Sequence, residues 1–244
     1  MTLIEHFEEL RTRLFIALGS WAVAGGVAFY FRDNLLEWLQ APLPSVVTLN
    51  AFRLLEGILI SMQIAVFFGL VLAAPVIVGQ LWGFIAPGLY PEERRWAVPF
   101  VLGTALAFAG GVLFSYYAIL PFALPVIIGF VPGEVQLILS IGDYISKIIL
   151  YLAIFGFIFE LPVLSFLLAR LGFLYAPMLQ QYRRYTFVGC WVVAAVITPT
   201  PDPLNLALVA LPLVILYEVS IVVVRLSQRK VQSEREDSEL TRPN

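Results

Sequence analysis

Histidine and cysteine are almost missing from this sequence: one histidine, His6, and one cysteine, Cys190, stand among 244 residues. A lone cysteine forms no internal disulfide, and Cys190 sits in the apolar run TFVGCWVVAAV, the setting of an inert packed thiol. No group of His, Cys, Asp and Glu has ligand spacing, so no metal or other cofactor is expected. An intramembrane hydrolase would need a nucleophile with its base, a metal cluster or paired aspartates. The segment SIGDY, Ser140 to Tyr144, has serine where the first glycine of a Gly-x-Gly-Asp motif is required, and no second aspartate lies mid-span. No glycine-rich phosphate loop is present, which removes nucleotide hydrolysis. The chain reads as no enzyme. Charge is scarce as well: 13% of residues are charged and the net charge is -2, so there is no basic field to attract nucleic acid.

What fills the sequence instead is apolar side chain, at 60% of residues and a mean hydropathy of +0.90. Runs of about 20 apolar residues are the length that crosses a bilayer as helix, and no soluble core absorbs them. The expected class is all-α, a polytopic membrane protein with one six-span membrane domain over residues 1–226. The spans are read at about 14–31, 58–82, 97–120, 145–169, 185–198 and 204–224. The last two are short, and Pro75, Pro162 and Pro212 each remove a backbone hydrogen bond inside a span, so the longer helices are expected to kink.

Of the basic residues, twelve fall on the side of both termini and three, Arg32, Arg53 and Lys147, on the other. Positively charged loops stay inside, which puts both termini in the cytoplasm. Three acids precede the first apolar run and no small-residue cleavage site closes it, so the first span is expected to remain in place rather than act as a cleaved signal. Thr2 and Glu5 have capping-box spacing, and Leu3, Phe7, Leu10 and Leu14 recur every three or four residues. Residues 2–13 are therefore expected as an amphipathic interfacial helix. Glu9 precedes Arg13 by four, the favourable order for a helical ion pair. The tail, 227–244, mixes both charge signs without apolar periodicity and is expected to be disordered.

Acid stands where a membrane protein avoids it. Glu160, in IFGFIFELPVLSF, falls near mid-bilayer, where a charge costs about 3 kcal/mol or more. It must be neutral, paired or facing water, either as a functional donor to a partner helix or as a structural contact to a neighbouring span. Gln80 and Glu218 lie nearer span ends, where snorkelling or capping competes with function. Between two spans, PGLYPEERRWAVP places Glu92, Glu93, Arg94 and Arg95 side by side.

These segments resemble one family, the TatC receptor subunit of the twin-arginine protein translocase. The likeness runs through HFEELRTRL, AAPVIVGQLWGFIAPGLYPEERR, FSYYAILPFAL, FGFIFELPVL, RRY and TPTPDPLNLALVALPLVILYE, with QLWGFIAPGLYPEERR the most specific. The resemblance implies six spans in a cupped, concave shape with cytoplasmic termini in the inner membrane. It also implies transport of folded proteins driven by the proton gradient. The implied signal-peptide site is Glu9, Arg11, Phe84, Glu93, Arg94 and Arg95. Glu160 matches the family's intramembrane glutamate, Asp202 its aspartate in the last external turn and Pro42 a position in the first external loop; with Gln80 they form the implied partner-binding set. The implied partners are twin-arginine signal peptides, TatB-type and TatA-type single-span subunits, and further copies of the complex. The sequence departs from the family at Gln63, where relatives often carry a base, and at Leu206, where they often carry glutamine. A secondary transporter using Glu160, Gln80 and Asp202, and a purely structural scaffold, remain the alternatives.

Overall fold

The structure, a computed structural model, describes residues 3–44, 47–85, 97–129, 131, 137–198 and 202–240, with side chains for 5–44, 47–84, 98–129, 131, 137–198 and 202–228. It is mostly helical. In chain order come α1 (Leu3–Tyr30), α2 (Arg32–Gln40), β1 (Thr48–Asn50), α3 (Glu56–Ile85), α4 (Ala97–Phe114), a π-helical turn (Ser115–Ile119), α5 (Leu120–Gly129), β2 (Ile138–Ser140), α6 (Ile141–Arg170), α7 (Ala176–Ile197) and α8 (Pro203–Leu240). Among the described residues, five stretches are long and apolar enough to cross a membrane: Glu5–Tyr30, Glu56–Phe84, Val98–Gly129, Ile141–Arg170 and Pro203–Gln228. Helix α7, which holds the expected fifth span, is not among them, because its first half, APMLQQYRRY, is polar.

The expected and observed elements differ at their edges for physical reasons. The amphipathic helix and the first span are one continuous α1, since nothing between Leu3 and Tyr30 breaks a helix. The third span extends to Gly129 through the π turn, where the Leu120 amide donates to the Ser115 carbonyl, one residue beyond the α-helical partner. The next residue is Pro121, whose missing N–H and bulky ring cannot close an ordinary turn, and a wider turn absorbs the misfit. Helix α8 continues to Leu240, so residues 227–240 of the expected disordered tail are helical, and 241–244 lie outside the described residues. The Glu, Arg, Lys and Gln content of that stretch suits a helix.

The chain divides into two compact units, Met1–Phe157 and Ile158–Asn244, where the sequence reading has one domain over 1–226. In the first unit, α1 packs along α3, and glycine sets the closeness. A Cβ built on Gly69 would lie 2.7 Å from the Gly25 Cα, so the two backbones touch, as small residues permit in membranes. The Trp21 indole N–H donates to the Val66 carbonyl at 2.9 Å beside this crossing. Helix α4 meets α6 in the same way: a Cβ on Gly111 would collide with the Phe155 carbonyl and lie 2.8 Å from the Gly156 Cα.

Among the described residues, three side chains tie down α2 and the stretches leading into α3 and α6. Strands β1 and β2 pair in parallel, Thr48 opposite Ile138 through Asn50 opposite Ser140. Glu56, the first residue of α3, is buried and gathers four donors. Its Oε2 accepts the amides of Phe52 (2.7 Å) and Arg53 (3.1 Å), and its Oε1 accepts the Gly142 amide (2.8 Å) and the Ser140 hydroxyl. A negative charge also suits a helix N-terminus. Two tyrosines cap the end of helix α2: Tyr116 donates to the Trp38 carbonyl at 2.6 Å, which also accepts the Ala41 amide at 3.2 Å, and Tyr144 donates to the Leu39 carbonyl at 3.0 Å.

In the second unit α6 ends on Gly172, at φ +76°, a left-handed conformation that favours glycine. The Gly172 amide then donates to Ala169, and those of Phe173 and Leu174 to Leu168. Gln228 on α8 clamps the following link, its Oε1 accepting from the Ala176 amide at 3.4 Å and its Nε2 donating to Leu174 at 3.1 Å. Ala169, Ala176 and Val224 form the small core here.

Candidate functional site

The N-terminal turns of α1 lie against the last turn of α3. His6 stacks on Phe84 with ring centroids 4.3 Å apart and planes 18° from parallel. Further along α1, Arg13 donates from Nε (2.9 Å) and Nη2 (2.6 Å) to a single oxygen of Glu9, the expected helical pair. The Arg13 guanidinium lies over Gly83, where a Cβ would run into its terminal nitrogen. Glycine at 83 therefore makes room for the arginine, and the arginine in turn holds the Glu9 carboxylate. With both donors on Oε1, Oε2 is buried and accepts no hydrogen bond among the described residues. A carboxylate oxygen without a donor invites a charge-assisted bond from a guanidinium or ammonium group.

Of the residues expected to bind a signal peptide, Glu9 and Phe84 thus belong to one contiguous surface of the first unit. Arg11, on the same helix, is exposed. Glu93, Arg94 and Arg95 lie outside the described residues. His6 and Arg13 join the site as residues that sequence reasoning treated only as a lone histidine and an ion-pair partner. For His6 no short-range signal points to Phe84, 78 positions away.

The expected partner-binding residues lie on different elements. Glu160 is buried in α6, two residues before Pro162, in the second unit. Asp202 acts as a helix cap: its Oδ2 accepts the Asn205 amide at 2.8 Å and its Oδ1 the Asn205 side-chain amide at 3.0 Å, with Pro203 as the first residue of α8. Pro42 stands two residues past the end of α2, just after the C-cap Ala41, where its missing N–H cannot continue the helix. Gln80 is half-buried on α3. Glu218 forms an ion pair with Arg183 at 2.6 Å. Among the described residues no cluster of His, Cys, Asp or Glu is arranged to hold a metal ion.

Residues 5–212 match the family model described as "Sec-independent protein translocase protein (TatC)". A protein of that name from Deinococcus radiodurans is 44% identical over 241 residues, covering 96% of this chain and 89% of that protein. Another from Aquifex aeolicus is 37% identical, covering 94% and 97%. A solved structure described as the twin arginine translocase receptor TatC superposes with a TM-score of 0.78 at 36% identity, over 91% of this chain and 99% of that one.

Proposed function

The chain belongs to the TatC family of Sec-independent protein translocase proteins, a multi-pass membrane protein of protein transport, and from that premise we propose that it is the receptor for twin-arginine signal peptides. The observation that carries this reading is the Glu9 carboxylate, fixed by Arg13 on one oxygen and, on the buried other, without a donor among the described residues, beside the His6–Phe84 stack. An arginine of the incoming peptide docks on Oε2 of Glu9 and its neighbour on Glu93, each guanidinium fork matching a carboxylate. Arg11, Arg94 and Arg95 hold this face of the protein in the cytoplasm and orient the acids.

Two such bonds contribute about 1.5–3 kcal/mol each, whereas micromolar binding requires about 8 kcal/mol. The remainder comes from the apolar stretch of the signal peptide lying along the membrane-facing wall. Helix α7 supplies the sixth crossing, which places the C-terminus on the cytoplasmic side together with the N-terminus, and the membrane crossed is the inner membrane. Glu160, with Gln80, Asp202 and Pro42, serves single-span partners of the TatB and TatA types in a complex powered by the proton gradient.

Crosslinking of a twin-arginine signal peptide to membranes holding wild type, Glu9→Gln or Glu93→Gln tests the site. The expected result is a loss of crosslinking in each variant at unchanged protein level, and a weaker product with a twin-lysine peptide. Undiminished crosslinking in the double variant removes the two carboxylates from recognition.

A further inference from the structure

Within the second unit, α7 and α8 enclose a groove of about 340 Å³ that none of the roles above uses. One end is charged: Arg183, Arg184, Tyr217 and Glu218 line it. The other end is apolar, formed by Phe187, Cys190 and Val214. At 1.5 Å of rise per residue, Cys190 lies roughly 10 Å along α7 from the two arginines. The groove therefore changes from cationic to apolar over the length of a lipid's glycerol and first methylenes.

The charges do not cancel. Arg183 pairs with Glu218 at 2.6 Å, and this is the one ion pair either arginine makes among the described residues. Arg184 donates from Nη2 to the Tyr185 hydroxyl at 2.9 Å and lies 4.8 Å over that ring, so it keeps its full charge. Two guanidinium groups against one carboxylate leave an excess of one positive charge. The ion pair is also wet or lipid-facing, with the Arg183 and Glu218 side chains 56% and 41% exposed. Depth agrees with a headgroup position. Arg183 precedes Thr198 by 15 residues and Glu218 follows Pro203 by 15, which puts both about 22 Å from the turn that joins the helices, in the last third of a hydrocarbon core about 30 Å thick, from which an arginine side chain snorkels to the headgroups.

We infer that this groove is a binding site for one anionic phospholipid, its phosphodiester on Arg183 and Arg184 and the start of an acyl chain against Phe187, Cys190 and Val214. The excess charge selects a net-anionic lipid over a zwitterionic one.

The test is native mass spectrometry of the purified full chain in neutral detergent, titrated with phosphatidylglycerol and, separately, phosphatidylcholine. Each arginine near a membrane surface contributes about 1 kcal/mol, or about fivefold in affinity. Wild type should therefore retain phosphatidylglycerol at least fivefold more tightly than phosphatidylcholine. Arg183→Gln with Arg184→Gln should abolish that preference, and Arg225→Gln, an exposed base outside the groove, should keep it. Glu218→Gln raises the excess charge and should strengthen phosphatidylglycerol binding a few-fold, an increase that misfolding cannot mimic. Equal retention of the two lipids by wild type, or no increase in Glu218→Gln, overturns the site. Displacement of the lipid by equimolar inorganic phosphate reduces the groove to an anion site and overturns the acyl contact. Absence of phosphatidylglycerol from wild type and both arginine variants alike overturns the lipid in favour of a protein segment as occupant.

Discussion

Replacing Gly69 by alanine places a methyl group 2.7 Å from the Gly25 Cα and 2.8 Å from its nitrogen, both backbone atoms of a facing helix. Backbone cannot swing aside as a side-chain tip does, so α1 and α3 must separate by several tenths of an ångström along an interface that reaches to the His6–Phe84 stack. Overpacking of this kind costs about 1–3 kcal/mol, and the better helix propensity of alanine over glycine offsets at most about 1 kcal/mol. The expected net loss is about 1–2 kcal/mol. Two neighbours serve as controls. A Cβ on Gly25 meets the Ala65 carbonyl oxygen at 3.4 Å, an ordinary van der Waals distance, and a Cβ on Gly26 meets nothing within 4 Å. Gly25→Ala should be close to neutral and Gly26→Ala neutral or up to about 1 kcal/mol more stable. Thermal unfolding of the three variants in one detergent reads the order, and signal-peptide crosslinking reads whether parting the helices disturbs the site. Gly69→Ala as stable as wild type, or Gly26→Ala equally destabilised, would refute the close backbone approach of α1 and α3.

Other substitutions probe the remaining interactions. Gln228→Ala removes both hydrogen bonds to the link between α6 and α7, and at about 0.5–1.5 kcal/mol per bond it should cost about 1–2 kcal/mol, with faster amide exchange at Ala176 than in wild type. Tyr116→Phe deletes the donor to the Trp38 carbonyl while keeping the ring stacked 3.6 Å from Trp38, so a loss of about 0.5–1.5 kcal/mol in thermal unfolding is expected. Glu56→Ala strands four donors, two in the link before α3 and two where β2 passes into α6, and limited proteolysis should then cut near Phe52 and Gly142 at sites wild type protects; unchanged digestion would mean the strand pair holds without it.

The spans are legible in the sequence because hydropathy is a local property: α3, α6 and the membrane portion of α8 agree with the expected segments to within a few residues. The Glu9–Arg13 pair is legible for the same reason, since four residues make a helical neighbour. The long-range packing that gives the site its form is not. His6 on Phe84, Arg13 over Gly83 and Glu56 on Gly142 each join residues 70 or more positions apart. Period and composition carry no information on which turn of one apolar helix faces which turn of another. The π turn is hidden because Pro121 falls just past the expected end of its span at residue 120, and a proline in the sequence does not say whether a helix ends, kinks or widens there.

The Glu9–Arg13 pair constrains how recognition works on the proposed reading. A carboxylate already bonded to one guanidinium presents a nearly neutral pair to the next, so long-range attraction of a twin-arginine peptide to Glu9 alone is weak. Recognition at this carboxylate is instead short-range: it offers about four lone-pair sites, Arg13 occupies those of Oε1, and an incoming guanidinium completes those of Oε2. Arg13→Gln would then act in two directions at once, raising the net negative charge of the site while freeing the carboxylate to rotate. A freed carboxylate presents both oxygens, which an arginine fork meets bidentately and a lysine ammonium cannot. Arg13→Gln should therefore widen the preference for twin-arginine over twin-lysine peptides, and competition crosslinking with the two peptides measures it. Unaltered discrimination in that variant would place the choice between arginine and lysine at Glu93 rather than at Glu9.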